Sequence, residues 1–159
     1  MRAWAHHGVV TAEPTLPTGT VTFVFTDIEG STRLVQRLGD GYDEVLAAHH
    51  AILRETLAGA NGSEVRTAGD SFFVAFSSAA DAVAGVVAAQ RRLQEYSWPD
   101  GATVRVRIGM HTGEGPLVAD DYGGVDVNRA ARIAAAGHGG QVILSAATSR
   151  LVDQHLPPA

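Results

Sequence analysis

Residues 20–34 read TVTFVFTDIEGSTRL: a β-branched and aromatic run, an acidic residue, then Gly-Ser-Thr ahead of a helical pattern. Val, Thr and Phe in this density suit a buried strand. The pattern predicts a strand over 20–27, with Asp27 where the chain leaves the sheet. Gly30 tolerates backbone angles that a bulkier residue avoids. Ser31 and Thr32 are candidate N-caps for the following helix. A helix start offers free N–H groups to a phosphate, and a carboxylate beside it can hold a cation that the phosphate also touches. A plain capped helix with a solvated aspartate fits the same residues, so this stretch alone leaves both readings open.

Outward from it, strand and helix patterns alternate. Residues 31–57 are helical with an interruption at Gly39-Asp40-Gly41, and Val45, Leu46, His49, Ile52, Leu53 and Leu57 recur at helical spacing. SEVRTA (63–68) and SFFVAF (71–76) flank Gly69-Asp70 and read as a hairpin with a tight turn. Ser78 and Asp81 suggest a capping box for a helix over 79–95. A strand is expected over 102–111, a loop with room for one short strand to 124, a helix over 125–136, a strand over 141–145 and a last helical piece. The order β-α-β-β-α-β is that of a ferredoxin-like, split βαβ core, here with a C-terminal extension, in an α+β domain. In that topology the end of the first strand lies near the hairpin turn. Asp27 and Asp70 can therefore converge, although they are far apart in sequence, into a plausible two-metal site.

The bulk numbers set limits. A chain of 159 residues, 45% hydrophobic and 18% charged, is long enough for one folded domain with a real core. The net charge is −5 and the basic residues are all arginine, which argues against a general nucleic-acid surface but not against one phosphorylated small molecule. Cysteine is absent, so neither a disulfide framework nor a thiolate metal site is possible. Residues 1–18 lack a continuous apolar signal core and are expected to form a flexible arm before a domain over 19–159. No apolar run approaches the roughly 18 residues of a membrane span. The expectation is a cytoplasmic chain with no membrane segment.

A second constellation lies in DDYGGVDVNRAARIAAAGHGG (120–140). Asn128 and Arg132 stand i, i+4 on one helix face, with Gly124 and Val125 a turn earlier. An amide and a fixed cationic fork suit sugar and phosphate oxygens, although an ordinary amphipathic surface gives the same pattern. Asp120 or Asp121 could accept a hydrogen bond from a base amine, or simply serve the turn. His49 and His50 are adjacent on a helix and so face different ways, which excludes a shared metal; both are expected at the edge of the core. GHGG (137–140) follows a helix rather than a strand and reads as a turn, not a phosphate loop.

FVFTDIEGSTRL, EVRTAGDSFFVAF, VRIGMHTGE and DYGGVDVNRAARI with GHGGQVILS, taken together and in this order, resemble the motifs of the class III nucleotidyl cyclase catalytic domain, in particular bacterial and actinobacterial adenylate cyclase-like domains, mycobacterial ones included. The resemblance runs from about residue 19 to about 155. It implies that Asp27 and Asp70, with the backbone of Ile28, hold two Mg²⁺ or Mn²⁺ ions, and that Ile28, Glu29, Gly30, Ser31 and Thr32 form the phosphate-binding loop and helix start. It implies that Arg107 contacts the terminal phosphates, that Asp121 reads the adenine amine, that Asn128 orients the ribose and that Arg132 stabilises the transition state. It further implies ATP as substrate, cyclic AMP and pyrophosphate as products, and a head-to-tail homodimer whose sites draw on both chains.

Two departures accompany it. Arg66 stands where the family has an adenine-reading lysine, a change of reach and fork. Arg66 could equally be an ordinary exposed strand residue. The family's final β-hairpin, with a further phosphate-binding lysine, is expected to be missing, and the sequence contains no lysine. These departures keep two alternatives open: a weak or inactive cyclase-like module for nucleotide binding and dimerisation, and a guanylate cyclase or an enzyme of mixed specificity.

Overall fold

Strand β1 (Thr20–Ile28) occupies the middle of the sheet, and its two faces explain the rest of the architecture. A computed structural model describes residues 15–156. The sheet order is β2 (Ser63–Ala68), β3 (Ser71–Phe76), β1, β4 (Val106–Glu114), β7 (Val142–Leu144). β1 pairs antiparallel with both β3 and β4, and β7 adds to β4 in parallel. The first four strands thus stand in the ferredoxin-like order expected from the sequence.

Val24 and Ile28 of β1 join Phe72, Val74 and Phe76 of β3 and Val106, Ile108 and Met110 of β4 in the larger core. Helices α2 (Tyr42–Gly59) and α3 (Ala79–Glu95) cover that face with Val45, Ile52, Leu53, Leu57, Val83, Val86 and Leu93. The opposite face of β1 carries Val21 and Phe23, which pack with Phe73, Ala75, Tyr122 and the Val127 and Ala130 of helix α4 (Val125–Ala136). This second cluster covers only part of its face. Phe25 is half-buried at its margin, stacked on Phe73 with ring centroids 4.3 Å apart.

Helix α4 lies against β4 because β4 offers glycines there. A Cβ at Gly109 would stand 2.2 Å from the Ala134 nitrogen, and one at Gly113 would stand 2.3 Å from Asp126 Oδ2. Either methyl group would lift the helix from the sheet.

Several boundaries differ from expectation. β1 runs one residue further, to Ile28. The fourth strand covers 106–114 rather than 102–111, because β1 from Thr20 onward needs partners through Glu114, while Arg105 only lends its carbonyl to the Glu29 amide at 2.8 Å. Helix α1 (Ser31–Leu38) is not capped by Ser31 or Thr32. Its cap is Gly30, in the left-handed region at φ 64°, which places Ser31 and Thr32 inside the first turn with no capping side-chain bond. The Gly39–Gly41 interruption is a single 3₁₀ turn. The loop before α4 holds two short paired strands, β5 (Leu117–Val118) and β6 (Asp121–Tyr122), rather than one. Ser78 caps α3 as expected, and Ser145 caps the last helix, α5 (Ala146–Val152).

Of the expected N-terminal arm, residues 1–14 lie outside the described residues. Leu16 packs against the second cluster, and the Pro17 carbonyl accepts a hydrogen bond from the Tyr122 hydroxyl. No helix among the described residues is long and apolar enough to cross a membrane.

Candidate functional site

The turn between β2 and β3 comes to the end of β1, as the topology predicts. Ile28 donates its amide to Asp70 Oδ2 at 2.7 Å, so Asp27 and Asp70 stand on one edge of the sheet although 43 positions separate them in sequence. Gly69 supplies a positive φ of 57° for this two-residue turn. Burial, and after it the Asp70 charge, pushes the phenol of Tyr42 in α2 upward in pKa.

Arg107 lies opposite Asp27 in the β1–β4 register. Its Nε donates to Asp27 Oδ1 at 2.7 Å and its Nη2 to Oδ2 at 2.6 Å, a bidentate pair. Its Nη1 reaches the Ala135 carbonyl at the end of α4 at 3.4 Å. The Asp27 hydrogen bonds hold the guanidinium above its usual pKa. Arg107 therefore balances the Asp27 charge within the chain.

Glu29 and Gly30 are exposed beyond Ile28, followed by Ser31 and Thr32 at the start of α1. His138 of the Gly-His-Gly-Gly turn stands 3.9 Å from Glu29. That segment is a turn, as expected: Gln141 donates to the His138 carbonyl and Gly140 to the Val106 carbonyl.

The described residues contain no cluster of three His, Cys, Asp or Glu side chains fit for a metal. Two carboxylates and a neighbouring backbone carbonyl are nonetheless the hard oxygen donors that Mg²⁺ and Mn²⁺ prefer, and Mg²⁺ commonly takes only one or two carboxylates and completes its shell with substrate phosphate and water. Asp27, Asp70 and Ile28 fit such ions.

Arg66 and Asp121, 55 positions apart, form a salt bridge on the open part of the sheet face. The Arg66 guanidinium also lies over the Phe73 ring, 5.1 Å from its centroid, while Phe25 stacks on that ring. Arg66 is thus tied to Asp121 within the chain, a pairing that neither reading of the sequence anticipated. The Phe25–Phe73 platform escapes sequence reasoning, because both rings read simply as strand hydrophobics.

Asn128 and Arg132 are exposed on α4 and form no side-chain hydrogen bond with any described residue; Arg129 is exposed beside them. Val125, one turn earlier, is 72% exposed. The helix itself is pinned. Asp126 accepts from His111 Nε2 at 2.8 Å and from the Glu114 amide at 3.0 Å, and His111 Nδ1 meets Ser145 Oγ at 2.7 Å. The bond from His111 holds Asp126 below the usual carboxylate range. This buried anchor also went unread in the sequence, since His111 and Ser145 occupy unremarkable strand and cap positions.

The two histidines of α2 diverge, as helical geometry requires. His49 is fully buried rather than at the core edge, with neither ring nitrogen bonded to a described residue, and burial lowers its pKa to about 4. His50 points to the turn and bonds the Gly69 carbonyl through Nε2 at 2.8 Å.

The profile of the adenylate and guanylate cyclase catalytic domain matches residues 13–156. An uncharacterized protein of Mycobacterium tuberculosis is 41% identical over 143 residues, covering 89% of this chain and 48% of the relative. An adenylate cyclase of Lachancea kluyveri is 36% identical over 154 residues, covering 81% of this chain and 8% of that protein. The chain thus spans about half the length of the first relative and a small part of the second. Among solved structures, a Trypanosoma brucei adenylate cyclase described in its monomeric state superposes with a TM-score of 0.80 at 30% identity, over 86% of this chain and 78% of that one.

Proposed function

The chain belongs to the adenylate and guanylate cyclase catalytic-domain family, and from that premise we propose that it is an adenylate cyclase, working as a homodimer on ATP with two divalent metal ions. The observation that carries this reading is the meeting of Asp27, Asp70 and the Ile28 backbone beside a helix start, with Arg107 against them.

In the reaction the ribose 3′ oxygen attacks the α-phosphorus, the bond from that phosphorus to the pyrophosphate oxygen breaks, and the hydroxyl proton is lost. Mg²⁺ or Mn²⁺ held by Asp27, Asp70 and the Ile28 carbonyl would lower the pKa of the attacking hydroxyl and offset charge on the leaving pyrophosphate. The backbone from Ile28 to Thr32, with Glu29 and Gly30 exposed in it, would receive the phosphates at the α1 start. Arg107 would exchange Asp27 for the terminal phosphates. Arg66 and Asp121 would read the base: the carboxylate accepts from the adenine amine, and Arg66 donates to a ring nitrogen. Asn128 would hold the ribose, and Arg132 would meet the charge that grows on the phosphoryl oxygens.

Asn128 and Arg132 are exposed without a side-chain hydrogen bond to any described residue. This supports a site completed head-to-tail by a second chain, in which each copy lends α4 to the other's metal ligands. The test is a cyclase assay of the purified chain with ATP and GTP, each with Mg²⁺ and with Mn²⁺. Cyclic AMP formation, with ATP favoured over GTP by at least about tenfold, is expected. A product from neither nucleotide in either metal would leave a nucleotide-binding or dimerisation module. Equal use of GTP would mean that Arg66, whose fork can also donate to the guanine carbonyl, sets the base choice.

A further inference from the structure

We infer that His50 is a positioning residue for Asp70: the bond from its Nε2 to the Gly69 carbonyl fixes the peptide that carries Asp70, and so sets how well that carboxylate can hold a divalent cation. The inference rests on the proposed metal role of Asp70.

The Gly69 carbonyl and the Asp70 nitrogen belong to one rigid peptide plane. Whatever fixes that carbonyl fixes the direction in which the Asp70 backbone leaves the turn. The acceptor here is a carbonyl oxygen, so His50 must donate, and it does so at 2.8 Å. The Asp70 carboxylate is held at its other end by the Ile28 amide on Oδ2. Asp70 is thus held twice, by its backbone from α2 and by its side chain from β1. Asp70 Oδ1 has no hydrogen bond with a described residue, which leaves it open to a ligand.

The turn itself needs this support. It contains only two residues, its glycine occupies a left-handed conformation with nothing near the missing Cβ, and β2 is the edge strand of the sheet. A glycine turn at a sheet edge has several backbone states within reach, and a single well-placed donor selects one. The donor is itself fixed. The His50 ring stands edge-on to Phe72, with centroids 5.1 Å apart at 70°, and Phe72 is buried in the core. The chain of support runs from the core through Phe72 and His50 to the Gly69 carbonyl, and from there to Asp70. Partners in the outer shell of a metal ligand typically matter about 10–100-fold in metal affinity.

The experiment compares wild type, His50→Phe, His50→Gln and Asp70→Asn. Phe keeps a ring against Phe72 and removes the donor; Gln keeps a donor. Free Mn²⁺ is read by electron paramagnetic resonance while the metal is titrated into each protein without nucleotide. The Mn²⁺ concentration for half-maximal cyclic nucleotide formation is measured alongside, separately from kcat. His50→Phe is expected to weaken Mn²⁺ binding about tenfold or more and to raise the half-maximal Mn²⁺ concentration in parallel, with kcat at saturating Mn²⁺ changed far less. His50→Gln is expected to recover most of the affinity. Wild-type affinity in His50→Phe, with binding lost in Asp70→Asn, overturns the role of His50 and leaves the metal reading standing. Equal loss in His50→Phe and His50→Gln also overturns it, because the donor would then not be what matters. Wild-type Mn²⁺ binding in Asp70→Asn overturns the metal reading and this inference with it.

Discussion

At the end of β1 the charged groups already have partners within the chain: Asp27 holds Arg107 by two bonds, and Asp70 holds the Ile28 amide. On α4, Asn128 and Arg132 stand in solvent without a side-chain hydrogen bond to any described residue, next to the exposed Val125. The first region is neutralised and braced before any ligand arrives. The second has a fixed backbone, through Asp126, His111 and Ser145, and free side chains. A pinned helix whose Asn128 and Arg132 bond to no described residue fits the proposed role of acting on something outside its own chain. The contrast is what a site divided between two copies should look like in each copy.

The sharpest way to break this comparison is at the braced end. Asp27→Ala and Asp70→Ala are each expected to lower cyclase activity by at least about 10³-fold, since the loss of one charge-stabilising group alone commonly costs about 10²–10³. Circular dichroism and a thermal melt should show the fold retained. Near wild-type turnover in either variant would remove the metal assignment.

At the free end, Arg132→Ala is expected to cost about 10²–10³ in kcat. Mixed with Asp27→Ala, it should recover part of the lost activity, because the mixed dimer contains one site with all its groups. Demonstrated subunit exchange without any recovery would mean that the two regions do not serve a common site across chains.

The braced end also rests on α2, and His49 gives that helix a pH dependence of its own. Its folded pKa is lowered to about 4 by burial, from an ordinary 6.5. Below pH 6.5 the unfolded chain takes up a proton that the folded chain refuses until about pH 4, so stability present at neutral pH is lost as the pH falls through this window. The loss should reach about 2 kcal/mol by pH 5. His49→Phe is expected to remove most of this slope in denaturant unfolding measured at pH 7 and pH 5, and to stabilise the fold at pH 7 by relieving two unbonded nitrogens. An unchanged slope would show that His49 does not refuse its proton.

The smallest expected effect concerns the base. Asp121→Ala removes both an acceptor and the partner of Arg66, and should narrow the ATP to GTP ratio of kcat/KM by about tenfold, roughly the value of one hydrogen bond. A ratio that stays put would assign base choice to other groups.

Much of this molecule was legible before its structure. The apolar pattern of TVTFVF, the tight turn at Gly69-Asp70 and the order of elements were enough to expect β1 beside the hairpin, and hence Asp27 near Asp70, because strand pairing in this topology leaves little choice. The i, i+4 spacing of Asn128 and Arg132 was enough to place them on one face. The capping of α1 is not legible there, since Ser and Thr are good caps in general but the left-handed Gly30 takes the cap position and starts the helix at Ser31, too early for either to serve.

What only the tertiary structure decided are the pairings across long separations in sequence. Arg107 meets Asp27 because the β1–β4 register sets them opposite one another, and Arg66 meets Asp121 because β6 folds over the open sheet face. His49 and His50 are neighbours in sequence, yet one is sealed in the core and the other bonds the turn that carries Asp70. Local sequence sets periodicity, turns and chemistry, because these depend on residues a few positions apart. Which charges meet depends on register and packing between distant strands, and no local pattern encodes that.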